Sequence, residues 1–480
     1  MNRVLQIFPY HVAVCRSGRA TMSPSTARKH CASSNNKKPF RQIPRIPALP
    51  LIGSSWIYCR FLRNGHPDER HKVSMEMYRK YGPIFVERLQ GRLSVVHIVK
   101  GTDIRILHKE EGKEPFRLGA APLKQYRESR PQYYANVGLL NLQGKEWLSA
   151  RSRMQPHMLK VRAANSYLPI MHRISDEALS LLDEVVDANG CVKDCFYIFR
   201  RWALETAPGG IRSRYLRAAA EYLIATIQLW RGILGRTHRH IDAAARRIEE
   251  EKLVSKATIL RNLLLEKKLT FGEIFTYTSD FILAGVDTTA FAMTCLLFQL
   301  AKNQEAQKKV RQEVQAAVEE NSRTIMPEPE NMPFLQARLK ESLRLMPPSP
   351  GIYRVLDHDV VMSGYVVPAG VPIFIDYYVA GRITENFDNP ELFLPERWLK
   401  VQREDLHFDR YASLPFSFGP RMCPGRTMAE LQLCLLASKI LLKYEVHCDK
   451  EDMEFHRRLG NVPNESVDFS FKRIPLPAFL

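Results

Sequence analysis

Apolar residues recur at helical spacing through 144–160 and 163–186, and again through 270–302, the longest such run in the chain. Two further stretches, RSRYLRAAAEYLIATIQLW and HIDAAARRIEEEKL, carry the same period. Thr270 and Glu273 open the long run as a capping box, in which hydroxyl and carboxylate satisfy exposed N–H groups reciprocally. Residues 304–320 are rich in i,i+4 charge pairs and predict a solvated helix. FLQARLKESLRLM reads as a short amphipathic helix stopped by Pro347 and Pro348, and a last helix is predicted over 424–442. KVSMEMYRKYG ends a helix at Gly82, and PIFVERL and LSVVHIV then have strand composition. Residues 357–381 alternate like strands, with turns at Ser363-Gly364 and Ala369-Gly370. Residues 382–422 are irregular and rich in proline and aromatics. The pattern predicts a mainly α fold with a smaller β portion, without internal repeats, in one integrated domain from about residue 40 onward. No stretch approaches the ~20 consecutive apolar residues of a spanning helix, so a soluble or monotopic protein is expected.

Composition adds exclusions. With 45% apolar and 25% charged residues in 480, the chain is neither disordered nor collagen-like. Nine cysteines, an odd number without C-x-x-C, argue against a disulfide framework or a structural zinc site. The net charge is +19, and the first 67 residues hold 11 Lys/Arg and no acid, leaving +8 for 68–480. Residues 1–36, basic, acid-free and rich in Ser/Thr, have the composition of a mitochondrial transit peptide. Residues 37–56 form a proline-rich leader, extended and stiff, and peripheral membrane contact is expected near it. A basic surface also suits nucleic acid, but no zinc-finger spacing, RNP-like motif or basic zipper accompanies the charge, so no nucleic-acid partner is expected.

The sharpest chemical signal is PFSFGPRMCPGRTMAE, 415–430. Phe416, Gly419, Arg421, Cys423 and Gly425 fill every specified place of F-x-x-G-x-R-x-C-x-G. Cys423 lies just before a helix, whose free N–H groups favour a thiolate and are expected to lower its pKa. The two glycines let the backbone fold tightly and approach a flat cofactor. Arg421 can bond an anionic edge group such as a propionate, and Phe416 can pack beneath a ring. A cysteine thiolate on haem iron favours O–O cleavage of bound dioxygen. A second signal lies inside the long helix: Ala284-Gly285-Val286-Asp287-Thr288-Thr289 contains poor helix formers. It reads as a locally opened helix with room for dioxygen at Gly285, where Asp287 and Thr288 relay protons.

With these motifs in this order, the chain from about 40 to 480 resembles the cytochrome P450 superfamily. The resemblance implies that fold, a helical domain plus a small β-rich region around haem b, over 57–480. It makes Cys423 the axial iron ligand and Asp287 and Thr288 the catalytic oxygen-activation pair. Phe416, Gly419, Arg421 and Gly425 then belong to the cofactor loop. Trp147 and Arg151, one turn apart, and Arg354 are the implied propionate donors. Glu341, Arg344 and Arg397 correspond to the family's buried Glu-Arg-Arg network. The basic leader without a membrane anchor resembles the mitochondrial, ferredoxin-dependent animal branch, on the matrix side of the inner membrane. That branch implies an acidic iron–sulfur ferredoxin with its NADPH reductase, dioxygen, and an apolar substrate, a steroid, sterol or ecdysteroid-like lipid. Arg338, Lys340 and Arg426 are the expected basic docking face, with Gln336 where some relatives have lysine. Segments 117–140, 280–289, 348–354 and 459–464 are the implied pocket lining. The span from Trp147 to Ala284 is several tens of residues shorter than in relatives, with the loss near 205–225, which thins the roof of the substrate cavity. Two alternatives follow: a xenobiotic-oxidising mitochondrial member, or a haem-binding but catalytically impaired variant.

Overall fold

The computed structural model describes residues 37–475 except 51, 55, 62–69, 90–92, 207–258, 267, 321–330, 400–406 and 458–459. The expected transit peptide and nearly all of the shortened segment 205–225 therefore lie outside the described residues, as do RSRYLRAAAEYLIATIQLW and HIDAAARRIEEEKL.

Helices α1 (Trp56–Phe61) and α2 (Arg70–Tyr81) precede strands β1 (Ile84–Arg88) and β2 (Ser94–Ile98). Then come α3 (Gly101–Glu110), α4 (Ala121–Glu128), α5 (Gly144–Met154), α6 (Val161–Asn165) and α7 (Leu168–Val185). Strand β3 (Cys191–Val192) leads into α8 (Cys195–Thr206), followed by α9 (Ile259–Glu266), α10 (Phe271–Lys302), α11 (Gln304–Glu320) and α12 (Pro333–Leu345). Strands β4 (Gly351–Val355), β5 (Val360–Met362), β6 (Tyr365–Val367) and β7 (Pro372–Asp376) run into α13 (Tyr377–Ala380). Helix α14 (Arg426–Lys443) and strands β8 (Tyr444–His447), β9 (Phe455–Arg457), β10 (Asn461–Pro463) and β11 (Phe469–Arg473) complete the order.

Two helical expectations split where proline intervenes. The 144–160 run ends as α-helix at Met154 and turns through a 3-10 segment, Gln155–His157, because Pro156 cannot donate to the helical ladder. The 163–186 run is two helices, with Pro169 in the first turn of α7, where a missing N–H costs nothing. Helix α10 begins at its predicted capping box, with both reciprocal bonds formed. It is long and apolar enough to span a bilayer by composition, but most of its length is buried in the protein core. It packs on α8, α12 and α14, and with α7 these helices enclose the main core.

The four-stranded sheet has the order β1-β2-β7-β4. Strands β2 and β7 run parallel, Val96 opposite Ile373, and the other pairs are antiparallel. β3-β11-β8 form a second sheet, and β5-β6 and β9-β10 form hairpins. The leader is part of this layer rather than a free spacer. Ile46 N–H donates to the Val86 carbonyl at 3.0 Å and Val366 N–H to the Lys38 carbonyl at 2.9 Å, and both Ile43 and Ile46 are buried. Two apolar side chains and open sheet edges dock it.

Candidate functional site

The loop before α14 is shaped by its backbone. Ser417 and Gly419 both take left-handed φ, +59° and +74°. That reversal lets Cys423 N–H donate to the Phe416 carbonyl at 2.8 Å and Met422 N–H to the Gly419 carbonyl at 3.1 Å. Gly425 has an ordinary φ, so it is not needed for a left-handed turn; its N–H instead favours the Cys423 thiolate. The expected lowering of the thiol pKa is not what the protein atoms alone produce. Burial pushes the Cys423 thiol up, against the Gly425 N–H and the charges of Arg151 and Arg117. Desolvation outweighs the helix terminus, and a positive partner is needed to make the thiolate the stable form.

Around this sulfur stand arginines from four segments. Arg151, on α5 beside buried Trp147, donates Nη2 to the Met422 carbonyl at 2.9 Å and leaves its buried Nε unpartnered. Arg421 stacks over the Trp147 ring at 4.4 Å and donates Nη2 to the Leu142 carbonyl and the Gln143 side chain, while its Nε and Nη1 are buried without partners. Arg354, on β4, donates to Glu111 at 2.6 Å and to the Ser417 hydroxyl at 3.2 Å. Arg117 is the member that sequence reasoning did not single out. Its charge is felt by Arg421, and Asp280 and Cys423 both act on it, which sets it between α10 and the cysteine loop. No local signal marks it, since its meaning depends on which segments meet.

The cluster is overcharged. Burial holds the Arg421 guanidinium down to about 8, with Arg117, Arg354 and Arg151 adding to the effect and Glu111 opposing it. Arg117 is held down to about 10, by burial first and by Arg354 next. Guanidinium groups stay protonated in proteins, so such depression measures an unanswered positive charge.

The predicted relay residues lie on α10. The helix is continuous from Phe271 to Lys302, so the expected local opening is absent. Thr288 instead returns its hydroxyl proton to the Ala284 carbonyl at 2.6 Å, a back-bond that keeps a polar side chain within a helix. Asp287 forms an ion pair with Arg200 of α8, Nε to Oδ1 at 2.8 Å. The sequence reading did not include Arg200. Among the called pocket segments, a Cβ on Gly460 would lie 3.5 Å from Thr288 Cγ2 and 3.1 Å from the Pro348 carbonyl. Asn461 N–H donates to that same carbonyl, which brings 280–289, 348–354 and 459–464 together; residue 459 lies outside the described set. The remaining segment, 117–140, is clamped to α10 by a buried pair, Arg127 to Asp280 at 2.6 Å, and by the Leu139 N–H on the other Asp280 oxygen.

The Glu341 network forms as expected. Glu341 receives both Nε and Nη2 of Arg344 at 2.9 and 2.7 Å, Arg397 Nε at 3.1 Å, Trp398 Nε1 at 2.8 Å and the Leu394 N–H at 2.9 Å. The expected docking face needs correction. Arg338 is buried, with its guanidinium 5.2 Å from the Phe334 ring and 3.6 Å from Glu396, so it presents no charge to solvent. Gln336 is buried too, its amide on the Cys434 sulfur at 2.9 Å. Lys340 and Arg426 are exposed, and Arg426 pairs with Glu430.

Haem b can be tested against these donors. Among the described residues no three His, Cys, Asp or Glu cluster to hold a bare metal ion. A single sulfur with orphaned, buried guanidinium N–H groups nearby fits instead an iron already carried by a dianionic ring. Cys423 would hold the iron, and propionates would answer the unpaired guanidinium groups of Arg151 and Arg421. Fold and site together define a haem-thiolate monooxygenase. A family model described as Cytochrome P450 matches residues 44–207 and 219–467, and the chain belongs to that family. The rat protein "1,25-dihydroxyvitamin D(3) 24-hydroxylase, mitochondrial" is 28% identical over 470 residues, covering 90% of each chain. The horse "Cholesterol side-chain cleavage enzyme, mitochondrial" is 26% identical over 485 residues, 92% of this chain and 90% of its own. The Drosophila "Ecdysone 20-monooxygenase" is 25% identical over 464 residues, 86% and 85%. The chain is thus of the mitochondrial-type animal branch. The break in the family match, 208–218, falls within the segment expected to be shortened.

Proposed function

We propose that Cys423 is the axial ligand of haem b and that Arg117, Arg151, Arg354 and Arg421, with Trp147, bind its propionates. The observation that carries this is the set of buried guanidinium N–H groups left without partners beside the cysteine loop. When bound, haem held by a thiolate activates dioxygen so that one atom enters a substrate C–H bond and the other leaves as water. Thr288 and Asp287 are the proton carriers: the Thr288 hydroxyl turns from Ala284 toward the substrate side, and the Asp287 carboxylate, once Arg200 releases it, takes a proton from solvent and passes it on. The apolar walls contributed by α10 and the turn at Gly460 exclude water from that transfer.

The substrate proposed is a steroid, sterol or ecdysteroid-like lipid, on the strength of relatives named for vitamin D, cholesterol and ecdysone. Electrons come from a mitochondrial ferredoxin and its NADPH reductase, which dock on a basic face that includes Lys340 and Arg426. The enzyme is placed peripherally on the matrix side of the inner membrane, after removal of a transit peptide near residue 36, with 57–480 as its haem domain. Purified protein reconstituted with ferredoxin, reductase and NADPH is expected to hydroxylate one member of a sterol panel. Thr288→Ala is expected to lower product by about a hundredfold while NADPH is still consumed. No product with any sterol, but turnover of foreign aromatic compounds, would replace the substrate class with the xenobiotic one.

The Asp287–Arg200 pair favours a second reading, a haem-binding chain with impaired turnover, because the ion pair must break before Asp287 can move a proton. In that case Arg200→Gln would restore product formation that the unmodified chain lacks.

A further inference from the structure

Glu111 is a carboxylate that meets the arginine cluster without a part in the proposed haem or proton chemistry. It follows the last turn of α3 with its side chain only 1% exposed. Oε2 accepts from Arg354 Nε at 2.6 Å, and Oε1 lies 3.2 Å from His108 Nδ1. The other ring nitrogen of His108 lies 3.4 Å from the Tyr377 hydroxyl, so the histidine is itself held from a second element. A Cβ on Gly419 would meet Glu111 Oε1 at 2.5 Å, so the cysteine loop passes directly over this carboxylate.

The contact is one-sided. Glu111 takes only the Nε edge of Arg354, whose terminal nitrogens go to the Tyr353 carbonyl at 3.0 Å and the Ser417 hydroxyl at 3.2 Å. Each terminal nitrogen carries two hydrogens, so one on each stays free for a further acceptor. A carboxylate placed only to neutralise an arginine would take the bidentate edge, as Glu341 does with Arg344. Here the carboxylate leaves part of the fork unused and turns it.

We propose that Glu111, fixed by His108, is a positioning residue for haem. It would present Arg354 to a propionate and set the reduction potential of the iron by keeping one negative charge among the arginines that would hold haem. The proposal rests on the haem-thiolate reading of Cys423. Reduction adds an electron to the haem, so a nearby fixed negative charge disfavours the ferrous state.

Spectroelectrochemical titration of the holoprotein and haem transfer to apomyoglobin test it. E111Q, which keeps the shape and removes the charge, is expected to shift the potential to more positive values. E111D, which keeps the charge but withdraws it from Arg354 Nε, is expected to leave the potential near that of the unmodified protein and to release haem about tenfold faster. Should E111Q fail to accumulate, E111D carries the test by itself. An E111Q potential equal to the unmodified one, or E111D releasing haem at the unmodified rate, overturns the proposal. An unmodified chain lacking the carbon monoxide band that gives the family its name would instead overturn the haem-thiolate reading.

Discussion

Two groups of buried arginine differ in what answers their charge. Arg344 and Arg397 are closed in: Glu341 takes five donors, and the carbonyls of Gly381, Pro390 and Leu392 take the rest of Arg344. Arg151 and Arg421 are buried too, yet they keep N–H groups that meet nothing in the protein. The same residue type, buried in both places, is fully answered in one and left open in the other. What separates them is completeness of compensation, since an ion removed from water is tolerated only when partners replace its solvation. The incomplete cluster is the one to which haem propionates are assigned in the proposed function.

The comparison can be broken most severely at the sulfur. Cys423→Ala is expected to abolish the carbon monoxide band altogether, while Cys434→Ala, buried on α14, keeps it. If both variants keep the band, the arginines surround something other than an axial ligand. Next in size is Glu341→Ala, which strands two buried cations and is expected to cost about 3–5 kcal/mol in denaturant unfolding. The opposite behaviour is expected of Arg421→Gln. It relieves repulsion among Arg117, Arg354 and Arg151, so the haem-free protein melts higher, while haem binds about tenfold more weakly. Equal signs for Glu341→Ala and Arg421→Gln in the haem-free protein would erase the distinction between the two clusters.

A separate effect concerns a buried ring outside both clusters. His71 stacks on Phe455 at 4.4 Å, and burial, with Lys72 and Arg382 nearby, holds its pKa down to about 3 from an ordinary 6.5. The folded ring stays neutral where the unfolded one takes a proton. Its contribution to stability is therefore whole above pH 6.5 and is lost as pH falls toward 3. Between pH 7 and pH 5 the loss is about 2 kcal/mol. His71→Phe keeps the stack and is expected to flatten that slope in urea titrations at pH 7 and pH 5. An unchanged slope would assign the acid sensitivity elsewhere.

Much of the site could be read before any coordinates. The cysteine loop, the 304–320 helix and the pairing of Glu341 with Arg344 each involve residues within a few positions of one another. Local spacing and backbone preference suffice there. The misreadings share a cause. Arg338 looked like a docking charge because sequence does not show that Phe334 and Glu396 close over it. The helix around Gly285 was expected to open because its residues are poor helix formers, but neighbouring packing and the Thr288 back-bond keep it whole. Arg117, Glu111 and Arg200 gave no signal, since each acts on a residue far away along the chain.

By itself, then, the sequence determined the cysteine loop, the long helix α10, the class of fold and the ion pair of α12. Those follow from the chemistry of side chains a turn or a loop apart. Tertiary structure decided which charges are answered: that Asp287 faces Arg200, that Arg354 is turned by Glu111, and that burial outweighs the helix terminus at Cys423. The reason is that solvation and Coulomb energy depend on which groups meet after folding, and distance along the chain carries no record of that.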